Sequence, residues 1–358
     1  MVPALELRAV HAPFGHGPGL RDVSLHVGGG ERVAVVGPSG VGKTTLLRAV
    51  AGLAPLDDGQ VLVGGHDVTT FPAERRGVVY LHQAPVLFPH LSVGGNVAFP
   101  LHVRGGRGDA VRHRVREALA AVRLDGLEGR SVHTLSGGQR HRAALARAIA
   151  ARPAALLLDE PLSALDPALR ADVGAAIAAA QAEYGPAMLL VSHDLDDVGA
   201  LADRVAVLLD GGIAQTATPD ILFARPATLG VARFLGIYQE LRGEVRRDRA
   251  ITCPLGTFDP GERLRDTPAG TVVTVAFRAE CVRVFTSARG AGVPGNGARA
   301  SVVGTRHRPR GSTLVLRLDD GAAATLTEAA IAGEGTDHVP GDEVIVTLDG
   351  CGAMVYTG

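Results

Sequence analysis

The chain of 358 residues has no tryptophan, only four tyrosines and nine phenylalanines, three cysteines, and one lysine among its 36 basic residues. Neither sign of charge prevails. Against 37 acidic side chains the formal net charge is −1, which lacks the basic surplus that marks a nucleic-acid-binding surface, so no nucleic-acid partner is expected. Long apolar runs are also missing: 154–158 and 186–192 are among the longest, far short of the ~20 residues that span a bilayer. No basic segment followed by an apolar core opens the chain, as a secretion signal would. Cys253, Cys281 and Cys351 are odd in number and widely spaced, which suits reduced thiols better than a disulfide framework. The expected setting is the cytosol, with any membrane contact made through a partner. The 47 glycines and 21 prolines stay below a low-complexity share, and at about 150 residues per domain the length allows about two domains.

The lone lysine is informative because a compact ammonium is not replaceable by guanidinium where a point charge is needed. Lys43 falls in Gly37-Pro38-Ser39-Gly40-Val41-Gly42-Lys43-Thr44, followed by Thr45, which fits the phosphate-loop pattern G-x-x-x-x-G-K-[ST]. The context agrees: 32–36 reads as a buried strand and 44–51 as a helix. Glycines let backbone N–H groups turn toward a phosphate, and the helix N-terminus adds partial positive charge. Lys43 then suits the β- and γ-phosphates, and the Thr44 hydroxyl suits Mg2+.

A second apolar strand, 155–158, ends in Asp159, Glu160 and the strand-stopping Pro161. Ligands of parallel α/β sheets sit beyond the carboxyl ends of strands, where these two carboxylates fall. Asp159 suits coordination of Mg2+ and Glu160 suits a base for water. Leu135-Ser136-Gly137-Gly138-Gln139 precedes the helix-forming run 140–151, with Ser136 as its natural N-cap.

With that segment in place, the first 235 or so residues resemble the nucleotide-binding subunit of an ABC transporter. Further segments follow in the family's order. Gln83, in Val79-Tyr80-Leu81-His82-Gln83, stands at the Q-loop position, Ser163-Ala164-Leu165-Asp166 at the D-loop, and Val191-Ser192-His193-Asp194 at the switch histidine. Phe14, followed by Gly15, stands where the family has an aromatic that stacks on adenine. One departure is Asp197-Val198, where relatives commonly have Glu-Ala.

The resemblance implies a P-loop ATPase with a RecA-like core and a helical subdomain at about 84–150, within a cassette over 1–238. It also implies a split site. The phosphates would lie on Gly40, Gly42, Lys43, Thr44 and Thr45, with Gln83 and Asp159 completing the Mg2+ and water environment. Glu160 would polarise the attacking water and His193 would contact the γ-phosphate. Ser136, Gly137 and Gly138, with Gln139, would serve the ATP of the opposite subunit, and Asp166 would couple the two sites. One set of motifs implies a homodimer. The stretch 84–100, rich in large apolar residues, resembles the region of importer ATPases that receives the permease's coupling helix. The helix expected at 110–122 has Val111, Val115, Leu119 and Val122 on a core face and arginines on a solvated one.

From about Leu241 short alternating runs take over: Val273, Val275 and Phe277, then Leu314, Leu316 and Leu318, then Val344, Val346 and Leu348. They suggest a small all-β barrel over 239–358, in two β halves joined by a Gly-rich linker at 287–299. Phe277-Arg278-Ala279-Glu280 resembles a segment of the OB/TOBE-like domain appended to importer ATPases, with Ala279 in place of the usual proline. The length of this tail resembles that of ferric-iron, molybdate, sulfate or polyamine importer ATPases. The function implied is therefore an ATPase subunit driving uptake of ferric iron or a polyamine through a permease supplied by a solute-binding protein, with an oxyanion as the alternative solute. The protein would then sit peripherally on the cytoplasmic face of the membrane. A non-transport ATPase acting on DNA or ribosomes is a further class, whose members tend to carry tandem cassettes or long coiled coils. In another, the β domain acts as a ligand sensor on a cassette without turnover, which Glu160 and His193 oppose. Arg306, Arg308 and Arg310 form either an anion patch or a solvated loop.

Overall fold

The computed structural model describes residues 2–13, 19–163, 165–237, 239–259, 264, 267–286, 297–308, 311–318, 325–330, 338–348 and 353–357. Phe14, Ala164, Pro309, Arg310 and Cys351 lie outside them, as does most of the expected linker. Two compact units result, Met1–Phe223 and Ala224–Gly358. The division precedes the boundary expected at 238/239 because Ala232 and Ile237 are fully buried with Ala276, Met354 and Tyr356 of the second unit.

The first unit is built on a six-stranded sheet in the order Gly212–Ala217, Arg204–Leu209, Arg32–Val36, Ala187–Val191, Ala155–Asp159, Val78–Leu81. All pairings are parallel except the hairpin between 204–209 and 212–217. Its inner strands are buried on both faces, which is why they read as unbroken Val, Leu and Ala runs rather than alternating ones. A second, antiparallel sheet orders Leu20–Val27, Leu5–Ala12, Asp58–Val63 and His66–Asp67. The helix Lys43–Ala51 joins Leu46, Leu47, Ala49 and Val50 to one core with both sheets.

Three helices, Val93–Val103, Gly108–Ala121 and Gly137–Ala150, occupy the expected helical region. Within the apolar stretch 84–100, residues 93–100 are helical, with Pro100 inside the helix. Ser92 caps it by accepting from the Gly95 N–H. Val111, Val115 and Leu119 face the core as expected, but Arg114 does not face solvent. Its guanidinium is buried 5.3 Å from the centre of the Tyr184 ring, with Nε donating to the Ala150 carbonyl at 3.3 Å. Among the described residues no helix is long and apolar enough to cross a membrane.

The second unit carries two five-stranded antiparallel sheets. One orders Gly256–Phe258, Ile251–Cys253, Gln239–Val245, Val272–Phe277 and Met354–Thr357; the other orders Val282–Thr286, Glu343–Leu348, Ala298–Arg308, Gly311–Leu318 and Thr325–Ala330. The three alternating runs read from the sequence bury their expected residues in a single cluster. The halves are not divided at the linker. The strand before it, Val282–Thr286, belongs to the second sheet, and Met354–Thr357 returns to the first. Ala298 and Arg299, assigned to the linker, begin a strand. Arg306 pairs with Glu328, so it offers no unpaired charge to an anion patch, while Arg310 and the Arg308 side chain lie outside the described residues. Cys253 is a buried free thiol.

Candidate functional site

The phosphate loop follows the strand Arg32–Val36 and opens the helix Lys43–Ala51. Three of its glycines are required. A Cβ at Gly37 would stand 2.3 Å from the Leu208 carbonyl oxygen, and Gly40 and Gly42 have φ of +80° and +108°. Gly42 is also the N-cap and supplies no side-chain acceptor, and the first turn holds no acidic residue. The leading N–H groups of the helix are thus left for an external anion. Lys43 is 8% exposed, with Nζ donating to the carbonyl oxygens of Gly37 (2.8 Å) and Pro38 (2.9 Å). An ammonium has three donors, so one remains. Burial pushes the Lys43 pKa down, against the opposing pull of Glu160 and Asp159.

Asp159 ends its strand 7% exposed. Its Oδ1 accepts from the Thr44 hydroxyl at 3.0 Å and its Oδ2 from the Tyr80 hydroxyl at 2.5 Å. Burial and the neighbouring Asp159 carboxylate raise the Tyr80 pKa to about 12, so the phenol is a donor at neutral pH. A hydroxyl and a carboxylate held side by side are hard oxygen donors that fit Mg2+, which takes one or two protein ligands and completes its shell with phosphates and water. Among the described residues no group of three His, Cys, Asp or Glu side chains forms a metal cage of its own.

Glu160 sits just beyond Asp159 with φ +46° and its N–H bonded to the Val191 carbonyl at 3.0 Å. A left-handed backbone at a non-glycine residue is strained, and such strain gathers at functional sites. Gln83 donates from Nε2 to Ser163 Oγ (3.0 Å) and Glu160 Oε2 (3.4 Å). On the other side His193 Nδ1 lies 3.2 Å from Glu160 Oε1. Asp159 ends a strand, and Gly37, Gln83, Glu160 and His193 follow the carboxyl ends of strands in the same sheet, at the edge where ligands of such sheets bind.

The signature segment stands apart. Ser136 caps Gly137–Ala150 in a full capping box: its Oγ accepts from the Gln139 N–H at 3.2 Å, and Gln139 Oε1 accepts from the Ser136 N–H at 3.0 Å. The Ser136 hydroxyl keeps its own proton for another acceptor. Among the described residues no hydrogen bond or ion pair joins Ser136, Gly137 or Gly138 to Lys43, Thr44, Asp159 or Glu160. Asp166 caps the helix Pro167–Tyr184 by accepting from the Leu169 N–H at 3.0 Å.

Three contributors escaped the sequence reading. Tyr80 is one. Arg76 is another: 6% exposed, it donates to the carbonyls of Ala49, Val50, Thr69 and Phe71 and closes the C-terminal end of the phosphate-loop helix. The third is His141, whose ring nitrogens lie 3.1 Å from the Gly137 carbonyl and 3.3 Å from that of Gln83, linking the signature helix to the Q-loop position.

Comparison with known proteins agrees with this geometry. Residues 20–163 match the family described as ABC transporter. Over 354 residues the chain is 40% identical to the Fe(3+) ions import ATP-binding protein of Streptomyces avermitilis, covering 99% of this chain and 98% of that one. It is 42% identical over 265 residues to the sulfate/thiosulfate import ATP-binding protein of Caulobacter vibrioides, covering 72% of this chain and 78% of the other. A solved dimer of an ATP-binding cassette in a post-hydrolysis state, bound to ADP and Pi, is 28% identical with a TM-score of 0.53, covering 60% of this chain and 98% of that one. The chain belongs to the ABC transporter family, as an ATP-hydrolysing subunit of the importer kind.

Proposed function

We propose that this ATPase works as a Mg2+-dependent homodimer, peripheral on the cytoplasmic face of the membrane, and drives ferric-iron uptake through integral-membrane permease subunits supplied by a solute-binding protein. The observation that carries the site reading is the convergence of Lys43, Thr44, Gln83, Asp159, Glu160 and His193 on one edge of one sheet.

In this reading the N–H groups of 37–45 and the Lys43 ammonium hold the phosphates, while Phe14 takes the adenine. Thr44 and Asp159 would hold Mg2+, with Gln83 nearby; when bound, the ion would supply charge neutralisation for the phosphates. Glu160 takes a proton from the attacking water, held in place by Gln83 and His193, and His193 faces the γ-phosphate. Phosphoryl transfer needs positioning and charge neutralisation more than covalent help, which this set supplies. The signature hydroxyl of Ser136, having no partner in its own chain's phosphate site, serves the ATP of a second copy packed head to tail, with Asp166 between the two sites. The dimeric cassette among the solved relatives supports that arrangement.

Permease docking is supported by the apolar hollow of about 340 Å3 lined by Val86, Phe88, Phe99, Pro100 and Arg147, where Val86 is 59% exposed and Phe99 41%. Ferric iron is favoured as solute by the two full-length Streptomyces relatives named as Fe(3+) importers. The β unit is proposed as a TOBE-like regulatory domain.

The test is a pull-down of tagged Glu160→Gln protein with ATP from gently solubilised native membranes. Multi-span permease chains together with an iron-binding capture protein support the full reading. A polyamine- or oxyanion-binding capture protein changes the solute alone. Ribosomes, nucleic acid or only soluble partners overturn the transport role.

A further inference from the structure

We infer that Tyr80 is a positioning residue for the metal site: its hydroxyl fixes the Asp159 carboxylate in the orientation that Mg2+ requires. The inference rests on the proposed role of Asp159 and extends it to a residue outside the phosphate loop and the strand-end carboxylates.

Asp159 is 7% exposed, and a carboxylate at that depth can turn about its last bond unless both oxygens are held. Thr44 Oγ1, at 3.0 Å, restrains Oδ1 only. That hydroxyl is itself a proposed metal ligand and cannot be relied on as an anchor when the metal arrives. Tyr80 Oη, at 2.5 Å, restrains Oδ2 from the opposite side. The donor comes from the neighbouring strand, where Tyr80 pairs in register with Leu157 and Leu81 with Leu158. Its half-buried ring packs on the core and meets the His82 ring edge-on at 4.5 Å. The phenol therefore has a rigid base, whereas a serine or threonine at 80 could not span the gap. Such outer partners orient metal ligands, and losing one typically costs about 10–100-fold in metal affinity. The same strand leads directly to Gln83, so one backbone segment positions both the carboxylate and the amide.

Tyr80→Phe removes one oxygen and keeps the ring. The experiment uses full-length Glu160→Gln protein, which holds ATP without turnover, and titrates Mn2+ followed by electron paramagnetic resonance. The expected result is a rise of about 10-fold in the Mn2+ dissociation constant for the Tyr80→Phe form. ATP affinity in EDTA, read by a fluorescent nucleotide, stays unchanged. Equal Mn2+ affinity in the two forms overturns the inference while Asp159→Asn, run beside them, still weakens Mn2+ binding. If Asp159→Asn also leaves Mn2+ affinity unchanged, the reading of Asp159 fails and the inference fails with it. Loss of ATP affinity in EDTA by Tyr80→Phe also overturns it, because the hydroxyl would then be supporting the phosphate loop rather than the metal ligand.

Discussion

His193 Nδ1 lies 3.2 Å from Glu160 Oε1, and the two residues follow adjacent parallel strands paired through Asp159 and Val191. The strained φ of +46° at Glu160 aims its carboxyl between His193 and Gln83 rather than along the strand. Under the proposed function, a water held between the carboxylate and a γ-phosphate would meet a base whose position is set from two sides.

Glu160→Gln keeps the shape of the side chain and removes the proposed base. Hydrolysis is expected to fall by about 100-fold or more, with ATP affinity retained. Single-turnover hydrolysis measured beside nucleotide binding checks both halves. Hydrolysis at the parent's rate would remove Glu160 from the role of base.

Asn96 is fully buried and its carboxamide binds the loop before its own helix: Oδ1 accepts from the Phe88 N–H at 2.7 Å, and Nδ2 donates to the Phe88 and Ser92 carbonyls at 3.1 and 3.0 Å. Asn96→Ala leaves buried backbone groups unpaired, at a cost of about 1–3 kcal/mol. The phosphate site lies elsewhere, so ATPase activity of the isolated protein should persist while permease recovery in the pull-down drops. Full permease recovery would show that this loop is not the docking element.

Arg76 spans four carbonyl oxygens with one planar guanidinium, a geometry that an ammonium cannot reproduce. Arg76→Lys and Arg76→Met should therefore both lower the melting temperature, by a loss of about 2 kcal/mol or more. Thermal unfolding monitored by circular dichroism tests this, and a Lys variant as stable as the parent would refute the bridging role.

Asp203 binds both the side chain and the backbone N–H of Arg32, and these hydrogen bonds hold its carboxyl below the usual range. A depressed carboxyl pKa stabilises the fold above the unfolded value of about 3.9, and that contribution is lost as pH falls through the lower folded value. The stability gap between parent and Asp203→Asn should be constant from pH 7 to 5 and shrink below about pH 4. Urea midpoints at stepped pH measure it. With the carboxylate 42% exposed, the gap is small.

The phosphate loop, the acidic strand and the capped signature helix were legible because each is a contiguous run whose residue types carry the chemistry and the local backbone together. Tyr80, Arg76 and Arg114 were not, since a single polar side chain in a strand or helix gives no local sign of a partner that sits 27 to 79 positions away. Arg114 in particular looked like one more arginine on a solvated face; only the tertiary approach of Tyr184 and the end of the signature helix buries it. The helix through Pro100 was obscured by a residue that normally ends helices. In the β unit the alternation identified buried faces correctly but could not assign strands to sheets, because a period of two is the same whichever neighbour a strand chooses.

The strand Met354–Thr357 lies beside Val272–Phe277, and every strand of the other sheet falls between them in the chain or ends before it returns. Tyr356 then reaches the Pro226 carbonyl at 3.2 Å, fastening the return to the segment that opens the unit. During synthesis the first sheet must wait with an open edge until some eighty residues have emerged and folded past it. A ribosome-stalled intermediate of this unit would expose the Val272–Phe277 edge to any strand at hand, so its closure is the step at which a chaperone, or a neighbouring nascent chain, has the most to bind.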